Sequence, residues 1–303
     1  MMTRTSTTRP PARSGFTLIE VVIALTILGI IGVAATKLLT AQSRFYDKQT
    51  NLRNARTIAR SSMNLILSDL RMVQDSGGVD SATVDGRLMR VVVPYRFGLV
   101  CGTNGSVTTV SMLPNDSATN AMSVYAGFAF RDPTSGRYVT VTPANPTGSD
   151  QPVASVSPNT CTGSGGGQAQ IRTLSVNGRS GAILDLKAPG PTGAAATAPV
   201  FLWQRITYSF KASGAFPGYL GLYRNVQGGT NEELLAPFDS TARFRYYVAG
   251  DDTSRTTVPS VDQIRGVDLV LNSLSPRATS DNAASHAPSK MVTSVFFKNV
   301  RAY

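Results

Sequence analysis

The stretch that decides the fold is FTLIEVVIALTILGIIGVAAT, residues Phe16 to Thr36. Its 21 residues carry one charge, Glu20. As a helix rising about 1.5 Å per residue they span about 30 Å, the thickness of one hydrocarbon core. Before it stands MMTRTSTTRPPARSG, with Arg4, Arg9 and Arg13, no acid, and the adjacent Pro10 and Pro11 that forbid a helix there. A secretory signal peptide also starts basic and turns apolar, but its apolar core is roughly 7 to 15 residues long and ends in a small-residue cleavage site. Here the core is longer, and Lys37-Leu38-Leu39 follows it. The basic flank predicts a cytoplasmic N-terminus, which puts everything after Thr36 beyond the inner membrane in the periplasm. The chain reads as a single-span anchor with an exported body.

An ionised residue inside such a span costs about 3 kcal/mol and marks function by default. A plainer account places Glu20 in the first helical turn, where the macrodipole favours an anion. On the residues alone both accounts stand. The junction Ser14-Gly15-Phe16-Thr17-Leu18-Ile19-Glu20-Val21 resembles the class III leader of type IV prepilins and type II secretion pseudopilins. The likeness lies in a short basic leader, a glycine directly before an aromatic residue, a glutamate four residues after it and a retained apolar helix. It implies that prepilin peptidase cuts between Gly15 and Phe16 and methylates the new Phe16 amine. It also implies that Glu20 meets the Phe16 ammonium of a neighbouring subunit when subunits stack. Away from water that pair gains far more than it would at a surface. Gly29 and Gly32 lower helix propensity inside the span, which fits either local melting during assembly or close helix packing.

From Lys37 to Asp75 there is no Pro or Gly, and Leu38, Phe45, Leu52, Ala59, Ile66 and Val73 recur every seven positions, with Met63 and Leu70 beside them. Arg44, Lys48, Arg53, Arg56, Arg60 and Arg71 lie mostly off that stripe. The pattern predicts one helix continuous with the span, ended by Gly77-Gly78, its first half packing in a filament and its second half on a sheet. Its basic face reads as solvated or inter-subunit in preference to a lipid or DNA site.

After Gly78 the texture changes to short β-branched and aromatic runs bounded by Gly, Pro, Asn and Ser. Strands are expected at Leu88 to Val93, Val107 to Leu113, Ser123 to Phe130, Tyr138 to Val141, Gln170 to Val176 and Ile183 to Leu186. Others are expected at Val200 to Phe210, Tyr219 to Arg224, Arg243 to Val248, Val267 to Leu271 and Val292 to Phe297. That is roughly ten strands, with loops at Pro143 to Gly167, Ala188 to Pro199 and Ser275 to Ser289. The fold class is therefore α+β, a long N-terminal helix packed on a β-rich body. The domains read as leader 1–15, transmembrane helix 16–36, periplasmic amphipathic helix 37–76 and globular body 77–303. Arg205-Ile-Thr-Tyr-Ser-Phe, Leu220-Gly-Leu-Tyr-Arg224, Glu233-Leu-Leu-Ala, Phe244-Arg-Tyr-Tyr247, Ile264 to Leu271 and Val295 to Val300 are similar to the strand order of PilW-type minor pilins and GspJ-type minor pseudopilins. With the N-terminus this points to a large minor subunit. Residues 79–199 resemble no family.

Composition closes off other functions. A single histidine, His286, in a polar loop, and two cysteines without a C-x-x-C exclude zinc ribbons, histidine clusters and dithiol redox catalysis. Gly163-Ser-Gly-Gly-Gly167 lacks the Lys-Ser/Thr ending of a phosphate loop, and no nucleophile can be paired with a base. Asp251, Asp252 and Asp262 bracket a loop and could supply oxygen ligands to Ca²⁺, as in some pseudopilins, but no EF-hand pattern accompanies them, so no metal and no cofactor is expected. Trp203 reads as core. An oxidising periplasm favours a Cys101–Cys161 bond over free thiols, worth about 4 kcal/mol in the chain-entropy account.

The 303 residues hold 29 Lys+Arg against 18 Asp+Glu, +11, and without the three leader arginines +8. After Ser76 the balance is 19 basic to 14 acidic residues, too dilute to favour DNA. The expected function is a minor pilin or pseudopilin that primes or caps a type IV pilus or a type II secretion pseudopilus. The alternative is a tip-binding module, an adhesin or DNA-uptake subunit, on the same anchor. Expected partners are prepilin peptidase, other pilins or pseudopilins, the inner-membrane assembly platform and inner-membrane lipid. No enzymatic activity is expected.

Overall fold

The computed structural model describes residues 15–73, 78–104, 107–113, 126–131, 138–141, 153–155, 160–161, 171–172, 175–177, 179–181, 183–187, 197–227, 229–258, 260–279 and 282–297. One helix, α1 (Leu18–Leu70), is followed by β1 (Val79–Ala82), β2 (Leu88–Asn104), β3 (Val107–Met112), β4 (Gly127–Arg131), β5 (Tyr138–Val141), β6 (Val153–Ser155), β7 (Thr160–Cys161), β8 (Ile171–Arg172) and β9 (Ser175–Val176). Then come β10 (Arg179–Ser180), β11 (Ile183–Lys187), β12 (Pro199–Ala212), β13 (Leu220–Val226), β14 (Glu232–Phe238), β15 (Arg243–Val248), β16 (Ile264–Thr279) and β17 (Asn282–Phe296). The arrangement is α+β and pilin-like, a long apolar N-terminal helix ahead of an antiparallel sheet.

The 53 residues of α1 make a rod about 80 Å long. From Gly15 to Thr50 every residue is exposed, because no described part of the body packs over them. Beyond this point Asn51, Ala55, Ile58, Ala59, Ser62, Ile66, Asp69 and Leu70 are buried. Their spacing of three and four residues presents one face to the sheet. Ala59, Ile66 and Val73 of the sequence stripe are buried in the body, whereas Leu38 and Phe45 are not. The helix stops at Leu70 and not at the 77–78 glycine pair. Leu70 and Val73 turn into the core there, and the chain bends at Arg71-Met72. Packing ends the helix before the glycines are reached.

Thirteen strands form one sheet, in the order β15-β16-β14-β13-β12-β2-β3-β11-β6, with β17 on β16, β1 on β2 and β4–β5 on β12. Two long strands are its spine. The second half of β12 lies between β2 and β13, and its first half lies between β2 and β4. Two cores result. The near core joins α1 to β1, β12, β13, β15 and β16 through Ile66, Leu70, Tyr208, Phe210, Phe244, Tyr246 and Leu269. The far core, Val100, Val110, Met112, Phe128, Phe130, Leu184, Leu186, Val200 and Leu202, contains no residue of α1. Seven of these nine residues fall within 79–199, the stretch without family resemblance.

The loop expected at Ser275 to Ser289 is instead the outer half of a β16–β17 hairpin, paired through Ser273↔Ser289, Leu274↔Pro288 and Ala278↔His286. Two prolines obscured it in the sequence. Pro276 falls where the register shifts, and Pro288 sits on β17, an edge strand among the described residues, where a missing N–H costs little. Helix contacts hold the hairpin: Ser273 Oγ donates to the Ala55 carbonyl at 2.7 Å, and Asn51 Nδ2 donates to Ala278 O at 3.4 Å. Most of the other two expected loops lies outside the described residues.

Candidate functional site

The start of α1 is built by its own first turn. Thr17 is the N-cap, in extended conformation, and Glu20 stands at N3. The Glu20 amide donates to Thr17 Oγ1 at 3.4 Å, while the Thr17 amide and hydroxyl donate to Glu20 Oε2 at 2.9 and 3.0 Å. This reciprocal capping box satisfies two backbone donors that the helix leaves open, and it fixes the carboxylate against the turn. Among the described residues no donor reaches Oε1. Phe16, 88% exposed, precedes the cap, and Gly15 has no side-chain or backbone neighbour for an added Cβ. The structure therefore gives Glu20 a helix-capping duty and leaves one oxygen open. The sequence reading had weighed the macrodipole but not the Thr17 partnership, which the T-x-x-E spacing carries.

At the other end of α1 a polar lock joins helix to sheet. Tyr208 Oη donates to Asp69 Oδ2 at 2.5 Å, and Arg224 reaches the same oxygen through Nη2 at 3.1 Å and Nε at 3.3 Å. Burial pushes the Tyr208 hydroxyl well above its ordinary range, with the Asp69 charge adding to it, so it remains a donor. Arg224 is shifted upward despite burial, by its bonds to Tyr208 and Asp69. The sequence reading missed this trio; the signal was Asp69 seven residues beyond Ser62 and fourteen beyond Ala55, an acid on the packed face of a basic helix.

The remaining candidates separate. Cys101 is fully buried and disulfide-bonded, and Cys161 is the other cysteine in the sequence. Asp251 accepts from the Thr253 amide and hydroxyl and pairs with Arg255, while Asp262 takes a hydroxyl from Ser260. Among the described residues no three such ligands gather round one point. His286 Nδ1 lies 2.5 Å from Ser275 O, and its ring meets Tyr219 at 4.9 Å, so it belongs to the hairpin. Trp203 is half-buried and packs on Phe201 at 5.8 Å. The 163–167 glycine cluster lies outside the described residues.

Residues 11–36 match the family model described as the prokaryotic N-terminal methylation motif. No curated protein and no solved structure matches the chain. The matched segment covers the leader junction and the exposed apolar half of α1. The matched segment is similar to the leader and first helix of type IV pilin-like proteins, and the helix-plus-antiparallel-sheet architecture agrees with that likeness. The motif points to a structural subunit in preference to an enzyme, and the apolar helix fits an inner-membrane anchor.

Proposed function

We propose that the chain is a minor pilin or pseudopilin of the PilW or GspJ type, a subunit that primes or caps a pilus or pseudopilus. Prepilin peptidase cuts after Gly15 and methylates Phe16. The body stands in the periplasm until the assembly platform extracts the helix from the inner membrane. One observation carries this reading: the segment matching the methylation motif opens a helix whose first half is exposed throughout. That half is sheltered by lipid before assembly and by neighbouring helices after it.

The capping box refines the part Glu20 plays. With Thr17 on Oε2, the open Oε1 accepts the Phe16 ammonium of a neighbour without dismantling the first turn. Glu20→Ala removes both duties, whereas Thr17→Ala removes only the cap. In-membrane crosslinking to fellow subunits is expected to fall strongly for Glu20→Ala, since leaving a buried charge unpaired costs about 3 to 5 kcal/mol. Thr17→Ala is expected to fall less, by a cap's worth of about 1 kcal/mol. Glu20→Ala crosslinking as well as the parent overturns this role.

The tip-module reading draws on the far core. Strands β3, β4 and β11, whose buried apolar residues lie away from the helix, are surplus to holding it and are free to present a binding surface at a filament tip.

A further inference from the structure

The outer face of the β15–β16–β17 sheet, turned away from α1, gathers charge that the sequence scatters. Phe244 and Tyr246 point into the near core, so Arg243 and Arg245 point outward. Across the sheet Arg243 aligns with Val270 and Val292, and Arg245 with Asp268 and Ser294; Asn272 pairs with Lys290 one step further on. A groove of about 610 Å³ runs over these rows and is closed at one side by Ser254 to Thr256. Its cations are Arg243, Arg245, Arg255 and Lys290, and Val270 is its one aliphatic lining residue.

The guanidinium groups are held in place. Arg243 Nε donates to Thr241 O at 3.0 Å, Arg245 donates to the Ser254 carbonyl, and Arg255 pairs with Asp251. Backbone carbonyls thus orient two forks without neutralising them. The nearest acid in register, Asp268, is 5% exposed, and its two oxygens accept the hydroxyls of Ser254 and Ser294 at 2.5 and 2.6 Å. Among the described residues Arg243, Arg245 and Lys290 have no carboxylate partner.

We propose that this groove docks an extended acidic segment of a partner protein, carrying Asp or Glu at alternate positions. Arg243 and Arg245 are two residues apart on one strand, about 6.8 Å, and side chains on one face of an extended chain repeat at the same interval. Planar guanidinium forks match carboxylates, each capable of bidentate pairing. Three unpaired cations suit two or three carboxylates. A nucleic acid held through six to ten phosphates needs a larger basic field than these cations supply. Lipid headgroups are out of reach. Ser273, next to Asn272, bonds to Ala55, which lies about 28 Å along the helix from Thr36. With one aliphatic residue in its lining, the groove gives binding that is electrostatic and salt-sensitive.

The test uses the full chain in detergent and a fluorescent peptide containing Glu-Val-Glu-Val-Glu, its Gln counterpart, and an oligothymidylate of equal charge. The Glu peptide is expected to bind at least tenfold more tightly than the Gln peptide and more tightly than the oligothymidylate, weakening as salt rises. Arg243→Gln with Arg245→Gln is expected to reduce that affinity at least tenfold, as is Lys290→Gln to a smaller extent. Lys48→Gln with Arg53→Gln, which makes the same change in net charge on the helix, is expected to leave it unaltered. Equal binding of the Glu and Gln peptides, equal losses in the two double variants, or preference for the oligothymidylate overturns the proposal. Lys290→Gln keeps the question answerable if the arginine pair fails to fold.

Discussion

Replacing Asp69 by alanine strikes the point where the helix is fastened to the sheet. It removes one acceptor oxygen that serves Tyr208 at 2.5 Å and Arg224 at 3.1 and 3.3 Å. Breaking a buried ion pair from one side costs about 3 to 5 kcal/mol, because the remaining charge is left without compensation. The Arg224 side chain is 29% exposed and recovers part of that from water, so about 2 to 4 kcal/mol is expected here. For a body of this size that is a fall in melting temperature of about 5 to 15 °C. Near-ultraviolet circular dichroism of the full chain in detergent reads the transition, and trypsin reads the place. Arg71, just past the helix end, is expected to become an early cleavage site. Arg224→Met in the Asp69→Ala background is expected to regain part of the loss, since it removes the orphaned charge. A melting temperature within about 2 °C of the parent, with Arg71 still protected, refutes the lock and leaves the apolar face and the Asn51 and Ser273 bonds holding the helix.

Three further outcomes follow from particular contacts. Glu233 is penalised by burial, yet bonds from Ser213, Tyr223 and the Gly214 and Ala215 amides outweigh this and hold its carboxyl below the usual range. Its contribution is present above the ordinary glutamate range and is lost as pH falls through the lowered value. Glu233→Gln is therefore expected to flatten the acid limb of a stability–pH curve, and an unchanged limb counts against it. A methyl at Gly98 runs into the Ser111 carbonyl and meets Met112 Sδ at 2.7 Å, so Gly98→Ala is expected to loosen β2–β3, detected by hydrogen exchange confined to the far core. Non-reducing peptide mapping is expected to recover Cys101 linked to Cys161, and two alkylatable thiols in the native protein contradict that pairing.

How much of this was legible follows the length scale of each interaction. The anchor, the junction and the central strands rest on local pattern: an uninterrupted apolar run, a glycine before an aromatic with a glutamate four residues on, alternating β-branched residues. Tyr138 to Val141 and Arg243 to Val248 have the expected bounds for that reason. The hairpin through Pro276 and Pro288 was illegible because its pairing depends on Ala55 and Asn51, more than two hundred residues earlier. The helix end was misplaced because burial of Leu70 and Val73 acts before glycine does. The basic groove could not be seen because Arg243, Arg255 and Lys290 meet only through sheet register.

The most direct test of the account is the N-terminus of the mature protein, measured by intact mass and N-terminal peptide analysis from cells with and without prepilin peptidase. The account predicts a chain beginning at N-methylated Phe16 when the peptidase is present and the unprocessed chain, still carrying residues 1–15, when it is absent. A mature chain that begins after Thr36, or inside the apolar run, contradicts it, because the helix that anchors the subunit and carries Glu20 would then be lost.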